Sequence, residues 1–275
     1  MSIIGITGGK GGTGKSTVAT ALAYELAKEY NVLLVDADVD CPNDHLLLGI
    51  KRCKVKAVMQ RIPIFDLKKC SRCGLCSKAC RNNAVVSIKG KYPLLMQPQC
   101  NGCGACFFKC PSDAISWGEK EIGRIYSGKN HNINLLSGEL AVNEPVSELV
   151  VNSLNKIMET KKKQYDFVVI DTAAGTHCPV ITALEKCDKV IAVTEPTPLG
   201  AHDLKLILDL LKHMGKETRV IVNRSDIGEI RIVKNLLKKY RLGISKKIRF
   251  SKKILESYSK GTPIKLDLTG IIGES

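Results

Sequence analysis

Gly8-Gly9-Lys10-Gly11-Gly12-Thr13-Gly14-Lys15-Ser16-Thr17 is the stretch that decides the fold. It follows Ile3 to Thr7, a short apolar run rich in isoleucine, and leads into Ser16 to Tyr30, where apolar residues recur at helical spacing. Counted from Gly9, it carries the spacing G-x-x-x-x-G-K-S. Strand, glycine-rich turn and helix form the context in which that spacing cradles phosphate. The glycines let successive backbone N–H groups turn inward around phosphate oxygens. Lys15 neutralises β and γ charge, and the Ser16 hydroxyl offers a ligand to Mg²⁺.

Outward from the loop, the chain keeps alternating. Asn31 to Asp36, Tyr165 to Asp171, Lys189 to Thr194 and Arg219 to Asn223 read as buried strands. Helical patterns fall at Thr182 to Cys187, His202 to Met214 and Glu229 to Tyr240. Continuous apolar strands alternating with helices predict an α/β fold, a P-loop NTPase whose mostly parallel sheet is covered by helices on both faces. Between about Arg52 and Trp117 the alternation stops. Afterwards, Ile122 to Ile125 and Ile133 to Leu136, separated by Ser-Gly-Lys-Asn-His, read as a hairpin that restarts the main domain. The expected organisation is a first ATPase segment (1–58), an inserted domain (59–118) and a second ATPase segment (119–275).

With Lys10 ahead of the core motif, the loop resembles the deviant Walker A of the MinD, ParA, Mrp and nitrogenase iron protein superfamily. The resemblance implies ATP and Mg²⁺ as ligands, and a homodimer, or a dimer with a related paralogue, in which Lys10 reaches the partner's nucleotide. Together with Lys10, the residues Gly9, Gly11, Gly12, Thr13, Gly14, Lys15, Ser16 and Thr17 would surround the phosphates. Asp36-Ala37-Asp38-Val39-Asp40-Cys41-Pro42-Asn43 looks like the family's switch I, with Asp40 orienting the attacking water. Asp171-Thr172-Ala173-Ala174-Gly175 looks like Walker B and switch II, with Asp171 in the Mg²⁺ shell and Gly175 near the γ-phosphate. Asn223-Arg224 resembles the adenine-recognition position. Lys10, Lys15, Asp40 and Asp171 are the expected catalytic set.

The interruption contains an internal repeat. Cys70, Cys73, Cys76 and Cys80 recur thirty residues later as Cys100, Cys103, Cys106 and Cys110, the last followed by Pro111. This spacing is that of bacterial-type ferredoxins with two [4Fe-4S] clusters, in which the fourth cysteine of each run ligates the other cluster. The expected sets are therefore crossed: Cys70, Cys73, Cys76 and Cys110 for one cluster, and Cys100, Cys103, Cys106 and Cys80 for the second. Zinc would more naturally use two separated C-x-x-C pairs. Arg81 stands where the ferredoxin pattern has proline. A cation there stabilises the reduced, more negative form and would make the clusters inequivalent. The whole chain thus resembles MinD/Mrp-type ATPases that carry an inserted ferredoxin domain, α+β in class.

Composition narrows the setting. The chain has 275 residues, enough to bury a core without disulfides, so its 12 cysteines need another explanation. Met-Ser-Ile-Ile-Gly has neither a basic n-region nor a long apolar run, so no secretory signal, reduced thiols and a cytoplasmic location are expected. The longest uncharged stretch, Tyr92 to Phe108, is too polar to span a membrane. Lys265 to Ser275 holds one cation and two glycines, unlike a basic amphipathic membrane helix, so no membrane role is expected. The formal charge is +15, from 42 Lys+Arg against 27 Asp+Glu. Part of the excess lies on the cysteine segment, which predicts an acidic redox partner. Another part is Arg231 to Lys253, with ten basic residues and no acidic one. A solvated face is the simpler reading of that run, and ParA-like DNA contact the other. Outside the repeat, Cys187 reads as a small buried residue, and Cys53 has no spacing partner. Cys41 and Cys178 each precede proline beside a switch loop; for Cys178 packing is the simpler reading, and a cluster-ligand or metallocluster-docking role like that of the nitrogenase iron protein the other. The leading expectation is an ATPase whose nucleotide state gates electron transfer through two clusters. A cluster-assembly carrier and a DNA-associated positioning ATPase with sensing clusters are the alternatives.

Overall fold

The computed structural model describes residues 1–271. The last four residues of the Lys265–Ser275 segment lie outside the described range. The strands are β1 Ser2–Thr7, β2 Val32–Ala37, β3 Cys53–Phe65, β4 Val85–Val86, β5 Leu94–Leu95, β6 Ile115–Asn130, β7 Ile133–Leu140, β8 Phe167–Thr172, β9 Lys189–Thr194, β10 Glu217–Val222 and β11 Lys246–Lys247. The α-helices are α1 Lys15–Leu26, α2 Asp44–Leu47, α3 Leu75–Ala79, α4 Ala105–Phe108, α5 Glu148–Lys161, α6 Cys178–Leu184, α7 Pro198–His213, α8 Ile230–Lys239 and α9 Lys252–Lys260.

One sheet runs in the order β11-β10-β9-β1-β8-β2-β7-β6-β3. From β11 to β7 every pairing is parallel, and β6 and β3 continue the sheet antiparallel. Strands β1, β2, β8 and β9 are buried on both faces, which is why they read as unbroken apolar runs. On one face α5, α6, α7 and α8 pack against Ile3, Val35, Val168, Val190 and Val220. On the other, α1 packs against Ile4, Leu34, Val169 and Ile191, and Ile264 and Leu268 close over the same core. Helix α6 sits close because Gly5 has no side chain; a Cβ there would lie 2.5 Å from a Leu184 methyl and 2.8 Å from the Cys187 sulfur. Cys187 is a packing residue, as expected, and burial pushes its thiol up to about 12.

The segment expected as an insert is carried on an arm. Strands β3 and β6 pair from Cys53↔Ser127 to Phe65↔Ile115, and the 16 residues of β6 span about 50 Å. The expected boundaries at 59 and 118 fall inside these strands, the first at a register shift between Val58 and Met59. The expected hairpin is longer than its apolar residues suggested. Ser127 to Asn130 continue β6, and the reversal is made by His131 and Asn132, both left-handed at φ 51° and 59°. Among the described residues, no helix is long and apolar enough to cross a membrane.

Candidate functional site

Two sites stand apart on this frame. The first lies at the carboxyl ends of the parallel strands, where an open α/β sheet gathers ligands. Glycine decides its shape at Gly12 and Gly14, left-handed at φ 80° and 93°, the latter capping α1. A side chain at Gly11 or Gly12 would face open space, while Gly9 packs on Asp203. A cavity of about 380 Å³ is lined by Gly11, Gly12, Gly14, Lys15, Ser16 and Thr17 on one side, with Asp38, Asn43, Ala174, Asn223 and Arg224 around it. Thr13 is buried behind the loop; its carbonyl accepts a 2.9 Å hydrogen bond from the Asn223 amide. Lys15 is buried and donates to the Lys10 carbonyl at 3.3 Å, which folds the loop around its own lysine.

Neighbouring strands bring the acids together. Parallel register sets Ile6, Asp171 and Asp36 in one row across β1, β8 and β2. Asp44, from α2, completes a group of three buried carboxylates whose oxygens lie within 4.8 Å of one another. Burial drives all three upward, Asp171 to about 7, against the opposing pull of the Ser16 hydroxyl and Lys15. Both Asp44 oxygens and one Asp36 oxygen are buried without a hydrogen-bond partner. A nest of hard, unsatisfied oxygens beside the Ser16 hydroxyl fits Mg²⁺. The other Asp36 oxygen accepts from the Asp44 amide at 3.3 Å and the Ser137 hydroxyl at 3.4 Å. Arg52 donates to the Ser137 hydroxyl at 3.0 Å and stacks on Tyr126 of β6. The acid group is thus connected to the arm.

Three expected residues stand differently. Asp40 is exposed on the turn after β2, and Asp38 lines the cavity, half-buried, its carboxyl raised by burial against the pull of Lys15. The backbone sets this difference: Asp38 directly follows β2, and two more residues carry the chain away. Lys10 does not point into the cavity; it pairs at 3.6 Å with Glu195, which also holds Arg224 at 2.7 Å. Gly175, left-handed at φ 95°, donates to the Gly8 carbonyl at 3.0 Å and ties the two loops together. The sequence reading missed the far wall, made by Arg249, Phe250, Ser251, Ile254, Leu255 and Tyr258. Part of the basic run Arg231 to Lys253 therefore belongs to the cavity. Its signal was a lone aromatic after a strand as short as β11, too weak to single out.

At the end of the arm lies the second site, where the repeat is visible in the backbone. Arg72 and Gly102, Gly74 and Gly104, and Asn83 and Asp113 are left-handed in matching pairs. The strained member, Arg72, is held by stacking over Tyr92 at 4.2 Å and a 2.7 Å hydrogen bond to its hydroxyl. The Ala84 and Ala114 amides donate to the Cys80 and Cys110 sulfurs at 3.2 and 3.4 Å. One cavity is lined by Cys70, Cys73, Cys76 and Cys110, near Phe65 and Ile115 at the far end of the arm. A second, of about 210 Å³, is lined by Cys80, Cys100, Cys103 and Cys106, with Arg81 at its edge. The cysteines gather in the crossed sets, all as free thiols. Burial raises the Cys106 thiol to about 11, while the Leu75 amide and the Ser71 hydroxyl lower that of Cys73. Cys41, Cys53 and Cys178 are exposed, so packing does not account for them.

The chain matches the CobQ/CobB/MinD/ParA nucleotide binding domain over residues 4–264. It is 33% identical over 266 residues to an uncharacterized protein of Methanocaldococcus jannaschii, covering 95% of this chain and 90% of that one. To the septum site-determining protein MinD of Thermotoga maritima it is 23% identical over 276 residues, covering 97% and 82%. Its fold is similar to that of the septum site-determining protein MinD complexed with Mg-ADP from Pyrococcus horikoshii. That likeness has a TM-score of 0.60 at 20% identity and covers 95% of this chain and 86% of the other.

Proposed function

The chain belongs to the CobQ/CobB/MinD/ParA nucleotide-binding family, and from that premise we propose that it is a dimeric, ATP-hydrolysing iron–sulfur protein in which nucleotide state gates electron transfer. The observation that carries the reading is the gathering of the eight repeat cysteines into two crossed sets of four, on an arm continuous with the sheet of the nucleotide site. The thiols fit [4Fe-4S] clusters, with backbone amides already aimed at Cys80 and Cys110. Bound there, the clusters would supply one-electron storage at two sites.

The protein's own residues supply the rest. The loop amides and Lys15 bind the phosphates, and Ser16 with Asp171 holds Mg²⁺. Asp38, not Asp40, is the acid placed to orient a water in the cavity. Phe250, Ile254 and Tyr258 offer an apolar wall to the base, beside Asn223. Lys10 is held in cis by Glu195 in the single chain, so reaching a partner's phosphate requires it to leave that ion pair. Movement of the acid group is felt at the arm through Ser137, Arg52 and Tyr126. Residues 59–118 form the redox module in this reading, and 1–58 with 119–275 the ATPase.

Anaerobic iron and sulfide counting with EPR, with and without ATP, tests both halves. The expected result is about eight iron atoms per chain and cluster signals that respond to ATP. Zinc in place of iron, or signals indifferent to nucleotide, would overturn it. A labile cluster beyond those eight atoms, lost in Cys178→Ala, would favour the carrier role instead.

A further inference from the structure

The small hairpin β4–β5 lies against the cysteine module, with Val85 lining the cavity of Cys80, Cys100, Cys103 and Cys106. Its inner side chains, Val85 and Leu95, pack on cysteines of both sets, and Leu95 touches both clusters of packed side chains. Its outer side is also apolar. Val86 and Leu94 are directly opposed in the ladder, with Ile88 and Met96 two residues further along each strand; they are 45%, 68%, 70% and 47% exposed. A two-stranded ribbon with a polar outer face would be soluble on its own, so four exposed aliphatic side chains at this place ask for a cover.

Charge narrows what the cover is. From Leu67 to Ser112 the chain carries eight Lys and Arg and no Asp or Glu. Lys89 and Lys91 stand exposed in the loop joining β4 to β5, beside Tyr92 and its stacked Arg72. An aliphatic centre inside a cationic rim fits a protein with an apolar patch inside an acidic rim. A single layer of side chains separates this face from the cysteines.

We propose that the outer face of β4–β5 is the docking surface for a small acidic one-electron carrier protein. The inference rests on the iron–sulfur reading of the cysteine sets. In each encounter the carrier is oxidised by one electron and the iron–sulfur centre reduced by one, with no bond or proton exchanged. Val85 and Leu95 pack with cysteines of both sets, so each set offers a route for the electron.

An acidic flavodoxin in its fully reduced form is the probe, used with the full-length protein after anaerobic reconstitution. Calorimetry should show binding that weakens with salt. Ile88→Ser with Leu94→Ser, and separately Lys89→Glu with Lys91→Glu, should each weaken it roughly tenfold. In stopped flow, the bimolecular rate of cluster reduction should fall alongside. Reduction by dithionite, which needs no docking, should be unchanged in both variants. Absence of flavodoxin binding, or equal binding by wild type and both variants, would overturn the proposal. So would a loss of self-association on sedimentation in the Ile88/Leu94 variant, which would assign the face to a second copy, or a loss of binding to phosphatidylserine vesicles, which would assign it to a membrane. Iron counting on the same samples keeps the two readings separate: missing iron refutes the clusters, whereas unaltered binding by iron-replete variants refutes only the docking face.

Discussion

The nucleotide cavity and the cysteine module are held together by different means. The cavity stands on seven parallel strands, the central ones buried on both faces, and its loop is fixed by hydrogen bonds to the protein itself, from Gly175 to Gly8 and from Asn223 to Thr13. The module has helices of four and five residues, strands of two, and a core made of a few aliphatic residues and the cysteines themselves. The first is organised before its ligand arrives. The second has a small core, and on the iron–sulfur reading its shape depends on what the thiols bind.

The largest expected effect breaks the comparison by attacking each side in turn. Cys106→Ala should remove one cluster, about half the iron, and open residues 66–114 to limited proteolysis, while melting of the main sheet changes little. Lys15→Ala should do the reverse: full iron and an intact module, with ATP hydrolysis reduced about a hundredfold or more. A module that stays protease-resistant without iron would show that its small core suffices.

A second effect separates two acids in one loop. Asp38→Asn should cost about a hundredfold in turnover with nucleotide still bound, whereas Asp40→Asn should leave turnover within about twofold, measured by phosphate release. The opposite ranking would return the catalytic acid to the position expected from the motif.

That pair also shows what was legible in the chain and why. The grouping of the repeat cysteines was legible because it is local: eight cysteines, their spacing and a thirty-residue repeat predict the two sets that share a cavity without knowledge of the fold. The nucleotide cavity was legible along its motifs, at Gly11, Gly12, Gly14, Lys15, Ser16 and Thr17 of the loop and at Asn223 and Arg224 after β10. Side-chain direction two residues past a strand, which separates Asp38 from Asp40, is fixed by the turn and leaves no pattern. Asp44 and the wall from Arg249 to Tyr258 reach the site by tertiary packing, and neither carries a periodic signal. The arm was missed as an element because β3 is half exposed and alternates irregularly, with its pairing interrupted by register shifts.

A third, smaller effect concerns the charge stored under the loop. Asp36, Asp44 and Asp171 hold protons in the folded chain at pH values where the unfolded chain has released them. Stability of the metal-free protein should therefore fall as pH rises from the ordinary carboxylate range towards about 7, since the folded state binds more protons across that window. Mg²⁺ should restore stability, more at pH 8 than at pH 5. Asp44→Asn should raise Tm without metal by about 3–6 °C at pH 8, corresponding to about 1–2 kcal/mol, and much less at pH 5. Scanning calorimetry at the two pH values reads this directly; identical pH profiles for wild type and variant would mean the three acids do not share the charge.

The smallest effect sharpens the comparison inside the module, where the two halves of the repeat differ in the residue that follows the fourth cysteine. Cys80 is followed by Arg81 and Cys110 by Pro111, and Arg81 lines the cavity of Cys80, Cys100, Cys103 and Cys106 but not the other. Reduction adds negative charge to a centre, so the guanidinium favours the reduced form of that centre alone. Arg81 is exposed, and water and salt screen most of its field. Arg81→Pro should accordingly lower one potential by only a few tens of millivolts, about a tenfold change in a one-electron equilibrium or less. Redox titration followed by EPR should show two resolved steps in wild type drawing together in the variant, with the separation shrinking in wild type as salt is added. Steps that stay equally far apart in Arg81→Pro would assign the inequivalence of the two sets to burial, since Cys100 and Cys106 are buried whereas Cys70 and Cys73 are not.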